Sequence, residues 1–499
     1  DQDIVSELIN KRTDSEFLDL MANLGGHCVQ TLIKVFEKVK DDKPTAFIAY
    51  TIKGWGTPLA GHKDNHAGLM TKAQMNSFKL KYGISDGNEW NRFSDEKNNV
   101  ELDKYIKNLP FQKAKHRKFQ SKKVSVDENV FIKETKISTQ NAFGKILDQY
   151  AKNNTDFSRR ILTTSPDVSV STNLGPWINR KGLFSRKDSS DTFKDRKIPS
   201  AQKWIFSSKG QHIELGIAEM NLFLMLGAAG LSHEFFGERL FPIGTVYDPF
   251  ISRGLDAMNY ACYQDARFMI VGTPSGISLA PEGGAHQSIG TPLIGISQPG
   301  LLSFEPAFAD ELALIMNYGF NYLQDEAGGS IYLRLTTRSI DQPMREIDNE
   351  LKNNIIRGGY WLKKPGSNPE VIIVYQGAVA SEAIESTALL GEKFKDSGVL
   401  SITSSDNLFH NWKNQTLSFK NKTTQSHIEK LLEFIPRDTR IITVVDGHPM
   451  TLSWIGSVYG HKTIPLGVDS FGQTGNIKDL FTEFRIDTSN ICNLGFNYT

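Results

Sequence analysis

Histidines and carboxylates at the ends of apolar runs are where this sequence could do chemistry. The stretch "GHKDNHAGLM" (61–70) sets His62 and His66 four residues apart among Gly, Lys, Asp and Asn. Histidine changes charge near neutral pH, and loops carry function more often than cores do. The stretch therefore reads as a substrate-handling loop or as an ordinary polar surface loop. His286 follows a glycine pair in "APEGGAHQSIGTP", where the backbone can approach a ligand closely; a turn-capping histidine is the alternative. Glu219 sits in "IELGIAEMNLFLMLGAAG", a largely apolar helix. An unpartnered carboxylate is costly in such surroundings, so Glu219 is uncharged, paired, or on a solvated stripe. An uncharged carboxyl is a hydrogen-bond donor suited to a heterocyclic nitrogen. Asp167 closes "ILTTSPD", and "TVYDPFISR" spaces Tyr247 and Phe250 three apart, as an aromatic wall or as core.

These residues need a framework, and the sequence reads as α/β throughout. "CVQTLIKVFEKVK" (28–40) has helical spacing, and "PTAFIAYTI" (44–52) is a short β-branched and aromatic run expected to be a buried strand. From 79 to 135 the chain is polar and basic, as in "QKAKHRKFQSKK", which reads as a connector over the surface. A second region alternates helix and strand: "AFGKILDQYAK", "RRILTTSPD", the Glu219 helix, "RFMIVGTPSG" and "DELALIMNYGF". The charged insert "RKDSSDTFKDRK" (186–197) reads as a loop within it. A third region gives strand, turn and helix in "EVIIVYQGAVASEAIESTALLGEKF", and "RIITVVDGHPMTLSWIGSVYG" repeats that order before "TIPLGVDSFGQTG". Apolar runs alternating with helices imply mostly parallel sheets covered on both faces, and such sheets bind ligands at the carboxyl ends of their strands.

Bulk properties narrow the classes. At 499 residues the chain should hold about two to four domains. It is 39% hydrophobic and 23% charged with a formal charge of +1, which gives no global argument for nucleic acid or a membrane surface as partner. No run of about 20 apolar residues is present, so no transmembrane helix is expected. Cys28, Cys262 and Cys492 lie far apart, which argues against a disulfide framework and suits a reducing, cytoplasmic location. The first residue is Asp1 and no secretory signal follows, so a processed chain or a fragment is expected. The phosphate-loop, G-x-G-x-x-G, H-E-x-x-H and G-x-S-x-G signatures are all missing.

Taken in order, "NLGGHC", "AYTIKGWG", "ELGIAEMN", "YQDARFMIVGTPSG", "EGGAHQ" and "LGVDSFGQTG" resemble the transketolase-like thiamine-diphosphate enzymes. The resemblance is closest to the homodimeric pyruvate dehydrogenase component that decarboxylates. It implies successive doubly wound, mostly parallel sheet domains of the thiamine-diphosphate-binding fold and a transketolase-type C-terminal α/β domain. On that pattern, 1–78 would be the end of the diphosphate-binding domain with its active-site loop, and 79–135 a connector. Residues 136–345 would be the pyrimidine-binding domain and 346–499 the C-terminal domain.

The resemblance also implies roles. Glu219 matches the glutamate that hydrogen-bonds the pyrimidine nitrogen, and Tyr247 and Phe250, in a Y-x-x-F-x-x-R pattern, match the aromatic stack on that ring. Asp167 matches an acidic residue close to thiamine diphosphate. His286 matches a histidine that contacts the substrate, and His66 the mobile-loop histidine of acyl transfer, with His62 a second candidate for substrate contact. The implied reaction is oxidative decarboxylation of a 2-oxo acid, foremost pyruvate, with acyl transfer to a lipoyl group on a partner acyltransferase, by a homodimer. The family's Gly-Asp-Gly…Asn motif for Mg²⁺ and diphosphate is not in the sequence; "SDGN" (85–88) and "VDGH" (445–448) are poor substitutes. The metal ligands are therefore expected in a segment upstream of this one. "TTSPDVSVSTNLG" and "LTTRSIDQ" resemble transketolase strings, with Arg338 where a sugar phosphate could be held, although transketolases usually follow the glutamate with His and Met220 stands here. Ketol transfer between sugar phosphates is thus an alternative, and a non-catalytic truncated subunit another.

Overall fold

The computed structural model describes all residues except 1, 42, 94–98, 110–111, 113–120, 129, 188, 190, 200–201, 419–424 and 498–499. The chain divides into two compact units, Asp1–Arg117 and Lys118–Thr499.

The first unit is helical where it is regular, with helices at Gln2–Asn10, Asp14–Ala22, Val29–Phe36, Lys72–Lys81 and Asn99–Asn108. Capping boxes start two of them: Thr13 with Glu16, and Thr71 with Gln74. In each, the threonine hydroxyl and the residue three along satisfy helix-end N–H groups reciprocally. The run 44–52 is not the buried strand expected from its composition. It has no strand partner among the described residues, and Ile48 and Tyr50 are 87% and 69% exposed. Apolar composition suits a residue to a strand interior, but a strand exists only where a neighbour takes up its N–H and C=O groups.

The second unit holds fifteen described strands. The two-residue strands β1 (Lys136–Ile137) and β10 (Ile340–Asp341) pair with each other. The large sheet contains β2 (Ile161–Ser165), β3 (Leu183–Phe184), β4 (Phe206–Ser207), β5 (His212–Glu214), β6 (Phe241–Val246), β7 (Met269–Gly272), β8 (Leu301–Phe304) and β9 (Ser330–Arg334). Its order is β4-β3-β5-β2-β6-β7-β9-β8, and every pairing is parallel. β6, β7 and β9 are buried along their whole length, as strands covered on both faces must be. A second sheet of β11 (Gly359–Lys363), β12 (Val371–Gln376), β13 (Gly398–Ile402), β14 (Arg440–Val445) and β15 (Thr463–Leu466) runs in the order β11-β13-β12-β14-β15, antiparallel only at β11. The fold class is therefore the expected mixed α/β one.

Two local expectations change. The end of the basic connector does not run over the surface: Val124, Val126 and Val130 are buried in the large-sheet core, and the Val124 N–H donates to Gln324 Oε1 at 2.7 Å. Composition averaged over 79–135 hid these spaced valines. Most of "QKAKHRKFQSKK" itself lies outside the described residues. The insert 186–197 carries one short helical turn, Thr192–Asp195, rather than loop alone.

Candidate functional site at the strand ends of the large sheet

The candidate residues of the second unit follow the carboxyl ends of β2, β5, β6 and β7, where an open parallel sheet leaves a crevice for ligand. Tyr247 comes directly after β6, and the 3₁₀ helix Asp248–Gly254 that follows carries Phe250 and Arg253. The Tyr247 and Phe250 rings are parallel within 10° at 6.0 Å, and the His286 ring stands edge-on to both, at 6.0 and 5.4 Å. His286 Nδ1 is buried and has no hydrogen-bond partner among the described residues.

Glu219 is the first residue of the helix Glu219–Gly230, not a residue of its apolar interior. Of the readings open for it, the structure shows the paired one: Arg253 Nη1 donates to Glu219 Oε1 at 2.5 Å. The Arg253 guanidinium also lies 3.9 Å above the Phe250 ring centre. Glu219, Arg253, Phe250, Tyr247 and His286 thus form one continuous set of contacts drawn from three stretches of sequence.

Asp167 is exposed, with a positive φ of 64°, two residues beyond β2. Its backbone N–H donates to Glu214 Oε1 at 2.8 Å. Burial pushes the Glu214 carboxyl up, but the His212 side chain and the Asp167 N–H outweigh it and hold Glu214 below the usual carboxylate range. His212 in turn meets the Thr163 hydroxyl through Nδ1 at 2.9 Å.

The His286 turn and the C-terminal "SFGQTG" loop are in contact. Gln287 Nε2 donates to the Gln473 carbonyl at 3.0 Å. A Cβ on Gly284 would lie 2.5 Å from the Gly472 carbonyl oxygen, so only glycine allows that approach. Two motifs nearly 190 residues apart in sequence, by the 186-residue separation of that bond, therefore build one structure.

Beneath the aromatic pair lies a buried ionic network that residue types alone did not reveal. Asp248 accepts hydrogen bonds from Ser288, Thr291, Tyr332 and Arg334. Arg334 also donates to Glu305 Oε1 at 2.5 Å and to the Asp446 carbonyl at 2.8 Å. Burial works against the Arg334 charge, but Glu305 and Asp248 outweigh it and raise its affinity for the proton. Burial pushes the Glu305 carboxyl up, against the pull of Arg334. Asp446 follows β14 and accepts from the Ile277 and Ser278 N–H groups, so the network ties the two sheets together. Only the arginine of the Y-x-x-F-x-x-R pattern could have drawn attention to Arg253; Asp248, Arg334, Glu305 and Glu214 carry no motif.

Arg338 lies apart from these contacts. Its guanidinium makes a two-pronged ion pair with Glu382, at 2.6 and 2.7 Å, and covers Phe481 at 4.7 Å. The fork that could take a phosphate is already filled by a carboxylate.

In the first unit, His62 Nδ1 accepts from the Asp64 N–H at 3.1 Å, and His66 Nδ1 lies 2.8 Å from Lys53 Nζ. Asn65 Nδ2 donates to the Lys53 carbonyl at 2.8 Å, closing the loop around that lysine. Sequence reasoning passed over His27 in "NLGGHC": its ring stacks on Trp55 at 4.5 Å, and its Nε2 accepts from the Ile52 N–H.

Residues 121–343 match the pyruvate dehydrogenase E1 component middle domain, and residues 358–487 the transketolase-like TK C-terminal domain. The chain is similar in sequence to pyruvate dehydrogenase E1 components. It is 25% identical over 430 residues to the E1 component of Escherichia coli K12, covering 80% of this chain and 47% of that one. To the E1 component of Buchnera aphidicola subsp. Baizongia pistaciae it is 24% identical over 513 residues, covering 97% and 57%. The chain thus spans about half the length of the curated relatives it matches. Among solved structures it shares its fold with the transketolases of Leishmania mexicana and Campylobacter jejuni. The first gives a TM-score of 0.68 at 16% identity, covering 93% of this chain and 64% of that one. The second gives 0.64 at 18%, covering 93% and 65%. No helix among the described residues is long and apolar enough to cross a membrane.

Proposed function

We propose that this chain supplies the pyrimidine-binding part of a thiamine-diphosphate-dependent 2-oxo acid dehydrogenase. In this reading pyruvate is the substrate, the enzyme is a homodimer, and the acyl unit passes to a lipoyl group on a partner acyltransferase. The observation that carries it is the convergence of Glu219, Phe250, Tyr247 and His286 at the strand ends of the large sheet.

The residues fit the group. A carboxyl at Glu219 can meet a ring nitrogen, the Phe250 and Tyr247 rings offer flat faces to stack an aminopyrimidine, and the buried Nδ1 of His286 is open to a polar partner. Thiamine diphosphate, when bound, supplies a nucleophilic carbon and an electron sink for loss of CO₂. The chain's own part is positional and acid–base. Glu219 holds a proton toward the ring nitrogen, Phe250 and Tyr247 fix the plane of the ring, and His286 hydrogen-bonds the substrate. Asp167 follows β2 of the same sheet, with its N–H held by Glu214, and His66, or His62, belongs to the loop that would serve acyl transfer. Among the described residues no group of His, Cys, Asp and Glu could hold a metal ion, so no step is assigned to Mg²⁺.

The engagement of Arg338 by Glu382 supports the 2-oxo acid over a sugar phosphate. The test is release of CO₂ from pyruvate by an assembled enzyme containing this chain, beside ketol transfer from xylulose 5-phosphate. Turnover of pyruvate alone is expected. Turnover of the sugar phosphate alone would replace the reading with transketolase chemistry, and turnover of neither with a non-catalytic subunit.

A further inference from the structure

Arg253 stands between the two groups that the pyrimidine reading requires. Its Nη1 donates to Glu219 Oε1 at 2.5 Å, and its guanidinium carbon lies 3.9 Å from the centre of the Phe250 ring. A guanidinium is a flat cation with N–H donors in its plane. It therefore does to these two residues what a flat nitrogen heterocycle would do, stacking on one and hydrogen-bonding the other. With the guanidinium carbon 3.9 Å from the ring centre, no second ring fits between the two groups.

We propose that Arg253 is a gate on this subsite. Its guanidinium takes the position on Glu219 and Phe250 that an aminopyrimidine ring would take, and it must swing into solvent for the ring to enter. The inference rests on the pyrimidine reading of the site given above. The exit is open, since the Arg253 side chain is 53% exposed while that of Glu219 is 12% exposed. An ion pair with one partner in solvent is weak and easily exchanged, so the gate opens at small cost. While closed, it leaves Glu219 neither unpaired at the mouth of an apolar helix nor Phe250 bare to water. It also makes the subsite selective: a ligand enters only if it can replace both the stacking and the hydrogen bond that it displaces.

The test is direct binding to the full chain, with 4-amino-5-hydroxymethyl-2-methylpyrimidine as the probe, followed by calorimetry or ligand-observed NMR. Arg253→Gln is expected to bind the probe about three- to fivefold more tightly than the native chain. Arg253→Lys, which keeps the charge but not the plane, should fall between them. Glu219→Ala, which removes the hydrogen-bonding group, should lose most of the binding. Unchanged or weaker binding by both Arg253 variants, with binding still dependent on Glu219, overturns the gate and leaves the pyrimidine reading standing. Binding that does not depend on Glu219, or no binding by any of these proteins, overturns the subsite and the gate together. Circular dichroism of each variant confirms that the comparison is between folded chains.

Discussion

Asp248 and Arg334, 86 residues apart in sequence, form an ion pair at 2.9 Å with side chains 0% and 2% exposed. Asp248 is the neighbour of Tyr247 and binds Ser288, which is two residues from His286. One buried carboxylate thus fixes both the aromatic pair and the histidine turn. Removing one partner of a buried pair leaves an uncompensated charge and costs about 3–5 kcal/mol. Arg334→Met should therefore lower the thermal midpoint by several degrees, since it leaves both Asp248 and Glu305 without their counter-charge. A melting curve that superposes on the native one would contradict this role.

Arg338→Ala tests whether that arginine serves the substrate. Its pair with Glu382 is largely buried, at 15% and 14% exposure, so truncation should cost about 1–3 kcal/mol of stability. The KM for pyruvate should not move, because the guanidinium is already committed to Glu382. A stability cost with an intact KM supports this, whereas a KM raised tenfold with unchanged stability refutes it.

His427 makes the fold sensitive to acid. Burial lowers its pKa from 6.5 to about 4, against the Gly359 carbonyl that its Nε2 meets at 2.8 Å. The folded value lies below the unfolded one, so the unfolded chain takes up the proton first as pH falls. The stability that a neutral His427 contributes is present above about 6.5 and is lost progressively toward about 4. His427→Gln should thus narrow the difference between thermal midpoints at pH 7 and pH 4.5. An equal difference in the two proteins would show that other groups carry the acid sensitivity.

The His66 loop admits a separate test. In an assembled enzyme, His66→Ala should lose acylation of the lipoyl group while keeping most decarboxylation to an artificial electron acceptor. Equal loss in the two assays would remove acyl transfer from its role.

Much of the fold was legible because its strands announce themselves locally. β2, β7, β12 and β14 are short runs ended by glycine, proline or polar residues, and the last three are largely apolar, as a parallel sheet buried on both faces requires. The run 44–52 has the same composition without being a strand, because neighbours make a strand and composition does not. For the candidate site, types and motifs drew attention to Tyr247, Phe250 and His286, which prove to be in mutual contact. They could not reveal that Glu219 begins its helix paired to Arg253, 34 residues away, or that Arg334 joins Asp248 to Glu305. Those relationships depend on partners brought together by the sheet order, and no local pattern encodes them.

The central claim is that Glu219 serves a ring nitrogen of thiamine diphosphate, and Glu219→Gln tests it most directly. The amide keeps the size of the side chain but cannot exchange a proton as a carboxyl does. In an enzyme assembled with this chain and saturated with cofactor, the variant should decarboxylate pyruvate at least about a hundredfold more slowly, with its melting temperature little changed. Native-like turnover by Glu219→Gln would contradict the account.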